Sequence, residues 1–205
     1  MKIKTLLLGS MQTNGYVVSN DTGHCFIVDP GANGKKIATF LTNQEFKLDA
    51  ILLTHGHFDH LGAVDYLYER YLCPVYLHPD DFEMLSEPRL NLSVYESPFV
   101  VKAPVLPAQA KMKIADLELT WLHLPGHCPG SSMIYLNQEG VMFAGDVLFK
   151  GSIGRFDFPN SSKYDTQNSL NEIMSYDFDA VVYPGHGPAT TLKEEQKNNP
   201  YLQKS

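Results

Sequence analysis

The chain has 205 residues, 43% of them hydrophobic, and its 16 Lys+Arg against 23 Asp+Glu give a net charge of −7. That is apolar material enough for one well-cored domain, expected to run over residues 1–205. The charge has the wrong sign for neutralising phosphates on a nucleic acid or an anionic membrane, and no apolar run approaches the roughly 20 residues that cross a bilayer.

Lys2 and Lys4 precede three leucines, but Gly9, Ser10 and Gln12 end the run, which reads as an edge strand and not as an export signal. Strand-like "YVVSN" and "HCFIVDPG" follow, then a helix near Lys35 to Asn43, the strand "DAILLTHG", a helix from about Asp59 to Tyr71, and "PVYLHP". The Pro-containing stretch Ser97 to Pro107 reads as a linker inside the domain. Beyond it come "KMKI", "LELTWLHLPG", "SSMIYL", "GVMFAGD", a helix around Asp165 to Ser175, and "DAVVYPGHG". This is an α/β texture. Cys25, Cys73 and Cys128 show no framework spacing and are expected to be free thiols of a cytoplasmic protein.

Several apolar runs end on polar residues of one kind. "LPGHCPGS" and "YPGHGPAT" share the order Pro-Gly-His-x-Pro and deliver His127 and His186, while "CFIVDPG" and "VMFAGD" stop at Asp29 and Asp146. "ILLTHGHFDH" brings His55, His57, Asp59 and His60 in the same manner. Loops beyond the strand ends of helix-covered sheets are where ligands bind, so these endings predict one polar rim.

His55 and His57 are two apart, a spacing that shares a side on an extended chain but not on a helix, so both should precede the helix that Asp59 helps to start. Imidazole and carboxylate suit zinc, iron or manganese, and a set without cysteine argues for a site that keeps a position open to water. Counting His127, Asp146 and His186 gives seven candidate ligands, too many for one four-coordinate ion. Two divalent ions sharing Asp146, zinc first among the choices, would use them all. Such pairs sit about 3.5–4 Å apart and acidify the water between them.

Outside this set, His24, His78 and His123 lack a partner motif and are expected to be surface or capped residues. Asp29 is either a turn former in Asp-Pro-Gly or a partner of the ligands. Arg155 is a surface residue, a cation for an anionic substrate tail, or a lock on a loop carboxylate. Cys128 is packing, or a redox-sensitive thiol at the rim.

The motifs "THGHFDH", "PGHCPGS", "FAGD" and "PGHG" resemble the metallo-β-lactamase superfamily over nearly the whole chain. The resemblance implies a four-layer αβ/βα sandwich with the metals at one edge. "GDVLFKGSIGRFDFP" and "VVYPGHGPATTLKEEQKNNPYL" look like short forms of glyoxalase II, hydroxyacylglutathione hydrolase. By that resemblance His55, His57 and His127 hold a first metal, Asp59, His60 and His186 a second, and Asp146 bridges. Asp59 and Asp146 are then the catalytic carboxylates of a thioester hydrolase, with Asp59 placed to take a proton from water.

Long glyoxalase II enzymes add a C-terminal helical domain that grips glutathione, whereas this sequence ends 19 residues after His186, and Phe156 and Asp157 follow Arg155 where they carry an aromatic hydroxyl. The expected substrate is therefore a small-molecule thioester such as S-lactoylglutathione, with glutathione recognition open. Gly154 to Phe158 also resembles the mono-iron persulfide dioxygenases, which use two His and one Asp. Another hydrolase such as a lactonase, or a catalytically silent metal-binding module, are the remaining alternatives, and the oligomeric state is not legible.

Overall fold

A computed structural model describes residues 1–204. The first sheet takes its strands in chain order: β1 (Lys2–Leu8), β2 (Thr13–Ser19), β3 (His24–Val28), β4 (Lys47–Leu52), β5 (Val75–Leu77) and β6 (Val105–Pro107). Pairing is antiparallel from β1 to β3 and parallel from β3 to β6. The second half supplies β7 (Lys111–Ile114), β8 (Leu117–His123), β9 (Ser132–Leu136), β10 (Val141–Gly145), the ribbon β11 (Leu148–Phe149) and β12 (Ser152–Ile153), then β13 (Val181–Pro184) and β14 (Thr190–Thr191). Its sheet has the order β14-β13-β10-β9-β8-β7, in which β10 and β13 are parallel. The helices are α1 (Gly34–Asn43), α2 (Phe58–Leu61), α3 (Val64–Tyr71), α4 (Lys163–Ser175) and α5 (Leu192–Asn198). None of the described helices is long and apolar enough to cross a membrane.

Side chains alternate faces along a strand, and both faces of each sheet are apolar here. Tyr16, Val18, Phe26 and Val28 point to the second sheet, where Trp121, Ile134 and Phe143 meet them. Their neighbours Val17, Cys25 and Ile27 point the other way, onto Ile37 and Leu41 of α1 and Val64 and Leu67 of α3. Met133, Met142 and Val182 pack on α4 through Leu170 and Ile173, and on Leu192 of α5. The result is helix, sheet, sheet, helix, the expected four-layer αβ/βα sandwich. β1 is the edge strand read from the sequence.

Two expectations need correction. The single helix predicted from Asp59 to Tyr71 is two, because the Ala63 N–H leaves the helical ladder to donate to the Pro30 carbonyl at 2.9 Å. A Cβ on Gly62 would lie 2.2 Å from the Gly31 oxygen, so the break needs glycine. The stretch Ser97 to Pro107 is also not linker throughout, since β6 closes the first sheet with Val105 opposite Val75.

The sheets are cross-linked at one edge. Ser132 N–H donates to the Thr54 carbonyl at 3.0 Å, and Asn14 N–H to the Gly185 carbonyl at 2.7 Å. Asn14 Nδ2 adds bonds to the Pro184 and Gly187 carbonyls at 3.0 and 2.9 Å. The loops that carry the predicted ligands all emerge along this edge.

Candidate metal centre

After β4 the chain bends at Thr54 and His55 and returns to an extended conformation at His57, the N-cap residue of α2, with φ −78° and ψ 148°. His55 and His57 therefore precede the helix, as their spacing requires, and Asp59 and His60 fall in its first turn. His127 comes from the β8–β9 loop, Asp146 from the residue after β10, and His186 from the loop after β13. All seven predicted side chains meet. His55, His57 and His127 form one group, which the buried Cys128 thiol also joins, Asp59, His60 and His186 a second, and His55, His60 and Asp146 a third that links them.

The spacings suit metal coordination. Atoms about 2.0–2.1 Å from one tetrahedral ion lie about 3.3–3.4 Å from each other. His186 Nε2 is 3.2 Å from Asp59 Oδ2, His60 Nε2 is 3.4 Å from Asp146 Oδ1, and His127 Nε2 is 3.6 Å from Asp146 Oδ2. Asp146 thus reaches both groups, with Oδ1 toward His60 and Oδ2 toward His127 and, at 3.7 Å, His186. Gly185 permits the approach, because a Cβ there would lie 2.2 Å from Asp146 Oδ1.

Tautomers are set from behind. His60 Nδ1 is 2.9 Å from Asp29 Oδ2, His127 Nδ1 is 2.7 Å from the Arg155 carbonyl, and His55 Nδ1 is 3.1 Å from Thr54 Oγ1. Thr54 Oγ1 itself donates to Asp29 at 2.7 Å, so it accepts from His55. Each Nδ1 is then a protonated nitrogen, which leaves each Nε2 as the nitrogen facing the centre. His55 Nε2, His60 Nε2 and Asp146 Oδ1 are buried with no hydrogen-bond partner. Such orphans are costly unless something absent from the protein atoms satisfies them, and a divalent cation would.

Charge divides the centre. Burial pushes His55 well below its usual range and His57 down to about 3, helped by neighbouring imidazoles. Burial also lowers His127, which the Asp146 carboxylate only partly offsets. In the other group burial would depress His60, but Asp59, Asp29 and Asp146 outweigh it and hold it well above the usual range. His186 is likewise raised, burial being outweighed by its bond to Asp59. Burial works against ionising Asp59 and Asp146 too, and is overcome by His60 in both.

Several contributors carry no local sequence signal. Thr13 Oγ1 donates to Asp59 Oδ2 at 2.8 Å. Asn14 clamps the His186 loop, and Asp29 fills both of its expected roles: its carbonyl accepts from Gly31 N–H at 2.8 Å in the turn, and its carboxylate backs His60 and Thr54. Arg155 is exposed, as its surface reading expects, and it also matches the third: its side chain locks the Asp157 carboxylate through two bonds of 2.9 Å, and its guanidinium lies 4.5 Å from the Phe158 ring centre. Cys128 is not at the rim, since it is fully buried with Sγ 3.4 Å from His57 Nε2, and burial pushes its thiol well above the usual range. His24 pairs with Asp49 at 2.7 Å outside the centre. His78 and His123 also stay outside, but they do have partners: their rings stack at 3.7 Å beside Asp80.

A fold of two facing sheets with a His and Asp cluster at one edge defines a class, and the family model described as the metallo-beta-lactamase superfamily matches residues 8–186. The chain belongs to that superfamily, whose members bind divalent metals. It is 35% identical to "Probable metallo-hydrolase YqgX" of Bacillus subtilis (strain 168), over 98% of both chains. It is 29% identical to "Hydroxyacylglutathione hydrolase GloC" of Haemophilus influenzae, again over 98% of both. Among solved structures, the BLEG-1 B3 metallo-beta-lactamase superposes with a TM-score of 0.92 at 38% identity, covering 98% of this chain and 99% of that one. TTHA1623 in a di-iron-bound form gives 0.86 at 37% identity, covering 97% and 99%.

Proposed function

We propose that this protein is a dinuclear metal-dependent hydrolase of small-molecule thioesters, with S-lactoylglutathione as the reference substrate. The carrying observation is the convergence of three orphaned buried atoms, on His55, His60 and Asp146, with the other four predicted ligands. His55, His57 and His127 would hold one ion, Asp59, His60 and His186 the other, and Asp146 both. The donor chemistry puts zinc first, and the di-iron form of TTHA1623 supports iron as an occupant.

Bound in this way, two divalent cations polarise a carbonyl and acidify water toward neutrality. Asp59, held ionised chiefly by His60 and oriented by Thr13, would be the carboxylate that takes a proton from that water. A departing thiol has a pKa of about 8.5 and leaves as thiolate, so the chain needs no strong general acid. That fits a centre whose carboxylates are both held ionised. GloC supports the thioester reading by its name, and the buried free cysteines support a reducing, cytoplasmic setting.

The test is reconstitution with zinc, iron or manganese, followed by thioester absorbance with S-lactoylglutathione. Turnover that chelation abolishes is the expected result. Oxygen uptake with glutathione persulfide in place of hydrolysis would move the protein to the mono-iron oxygenases. Turnover of a β-lactam or lactone alone would move it to another hydrolase branch.

A further inference from the structure

One buried carboxylate touches both loops of the first ligand group without being a ligand. Asp81 lies in the 3₁₀ turn Pro79–Leu85 that follows β5, and it is wholly inaccessible to solvent. Its Oδ2 accepts from the Gly56 N–H at 2.9 Å, and its Oδ1 from the Gly130 N–H at 2.5 Å. Gly56 stands between His55 and His57, and Gly130 follows His127 by three positions. The fit is close, since a Cβ on Gly130 would lie 2.7 Å from Asp81 Cγ and one on Gly56 would lie 2.8 Å from Met84 Cβ of the same turn.

His57 needs such support. His55 and His127 each have an oxygen behind them, whereas the contacts of the His57 nitrogens are His127 Nε2 at 2.9 Å and the Cys128 thiol at 3.4 and 3.7 Å. Its position is set by backbone, through Gly56 N–H to Asp81 on one side and Phe58 N–H to the Asn91 carbonyl, at 2.8 Å, on the other. Burial raises the Asp81 carboxyl to about 7, and the two N–H groups are what oppose that rise. The second group is held by Thr13 and by Asp29, which also fixes Thr54 behind His55.

From this we infer that Asp81 is a positioning residue for one half of the metal centre: it clips the His55–His57 loop to the His127 loop and so sets the affinity of the first ion, not the second. The inference rests on the dinuclear reading. Partners that orient ligands typically contribute 10–100-fold in metal affinity. Asp81→Asn would offer an amide to one of two N–H donors and lose that bond.

The experiment is calorimetric titration of the metal-free protein with zinc, with His57→Ala and His60→Ala assigning the two affinity classes. Asp81→Asn should weaken the first class about 10–100-fold and leave the second within error. Gly130→Ala, which keeps the carboxylate but displaces it, should do the same and decides the matter if Asp81→Asn does not fold. Exposed Asp80→Asn should change neither. Equal weakening of both classes would mark Asp81 as a general fold residue, and no weakening would remove the clip. A wild-type protein that binds no zinc would instead contradict the metal-centre reading itself.

Discussion

The two halves of the proposed centre solve the same problem with opposite electrostatics. The first half consists of three imidazoles from two loops, kept neutral by burial, and backed by a hydroxyl and a carbonyl. The second consists of two imidazoles and a carboxylate, with another carboxylate, Asp29, behind His60. Without a cation that half is a network of raised histidines and lowered acids, so protons sit where metal would. A cation enters the first half without displacing a proton and enters the second by exchanging with protons.

Asp146 is the one side chain facing both halves, so Asp146→Ala should abolish turnover and lower the bound metal from two equivalents, measured by elemental analysis. Unchanged turnover would remove the shared carboxylate. Asp29→Asn should weaken the second ion about 10–100-fold through His60 and the first ion less, through Thr54 behind His55, by the same titration.

Acidity should separate the halves as well. The folded pKa values of His60 and His186 are raised, so protonation favours the metal-free protein as pH falls through those raised values. The first-half histidines are lowered and stay neutral through the same window. Affinity for the second ion should therefore fall about tenfold per pH unit for each proton displaced, while the first ion persists. Simultaneous loss of both ions on acidification would erase the contrast. The smallest effect is expected at Arg155→Ala, because His127 uses the Arg155 carbonyl and not its guanidinium. Metal content should stay at the wild-type value, and any change in KM for an anionic thioester would report on substrate contact.

The candidate ligands were legible because each sits at the end of an apolar run, where the sequence itself shows strand stopping and polar loop beginning. Period-2 spacing put His55 and His57 on an extended segment, and the repeated Pro-Gly-His pointed to a shared rim. The supporting residues were not legible for a physical reason: Thr13, Asn14 and Asp81 act over separations of 46, 170 and 49 positions. No local pattern encodes a partner that distant. The pairing of His78 with His123 escaped for the same cause. The helix break at Gly62 and Ala63 was missed because an apolar period continues across it, while the backbone bond that breaks the ladder comes from Pro30.

The central claim is that seven side chains gather two divalent ions at the edge of the sandwich. A crystal structure of metal-loaded protein, with anomalous scattering at the metal edge, tests it directly. Two peaks about 3.5–4 Å apart are expected. His55, His57 and His127 should surround one, Asp59, His60 and His186 the other, with an Asp146 oxygen reaching each. A single peak, or ions bound away from these residues, would contradict it.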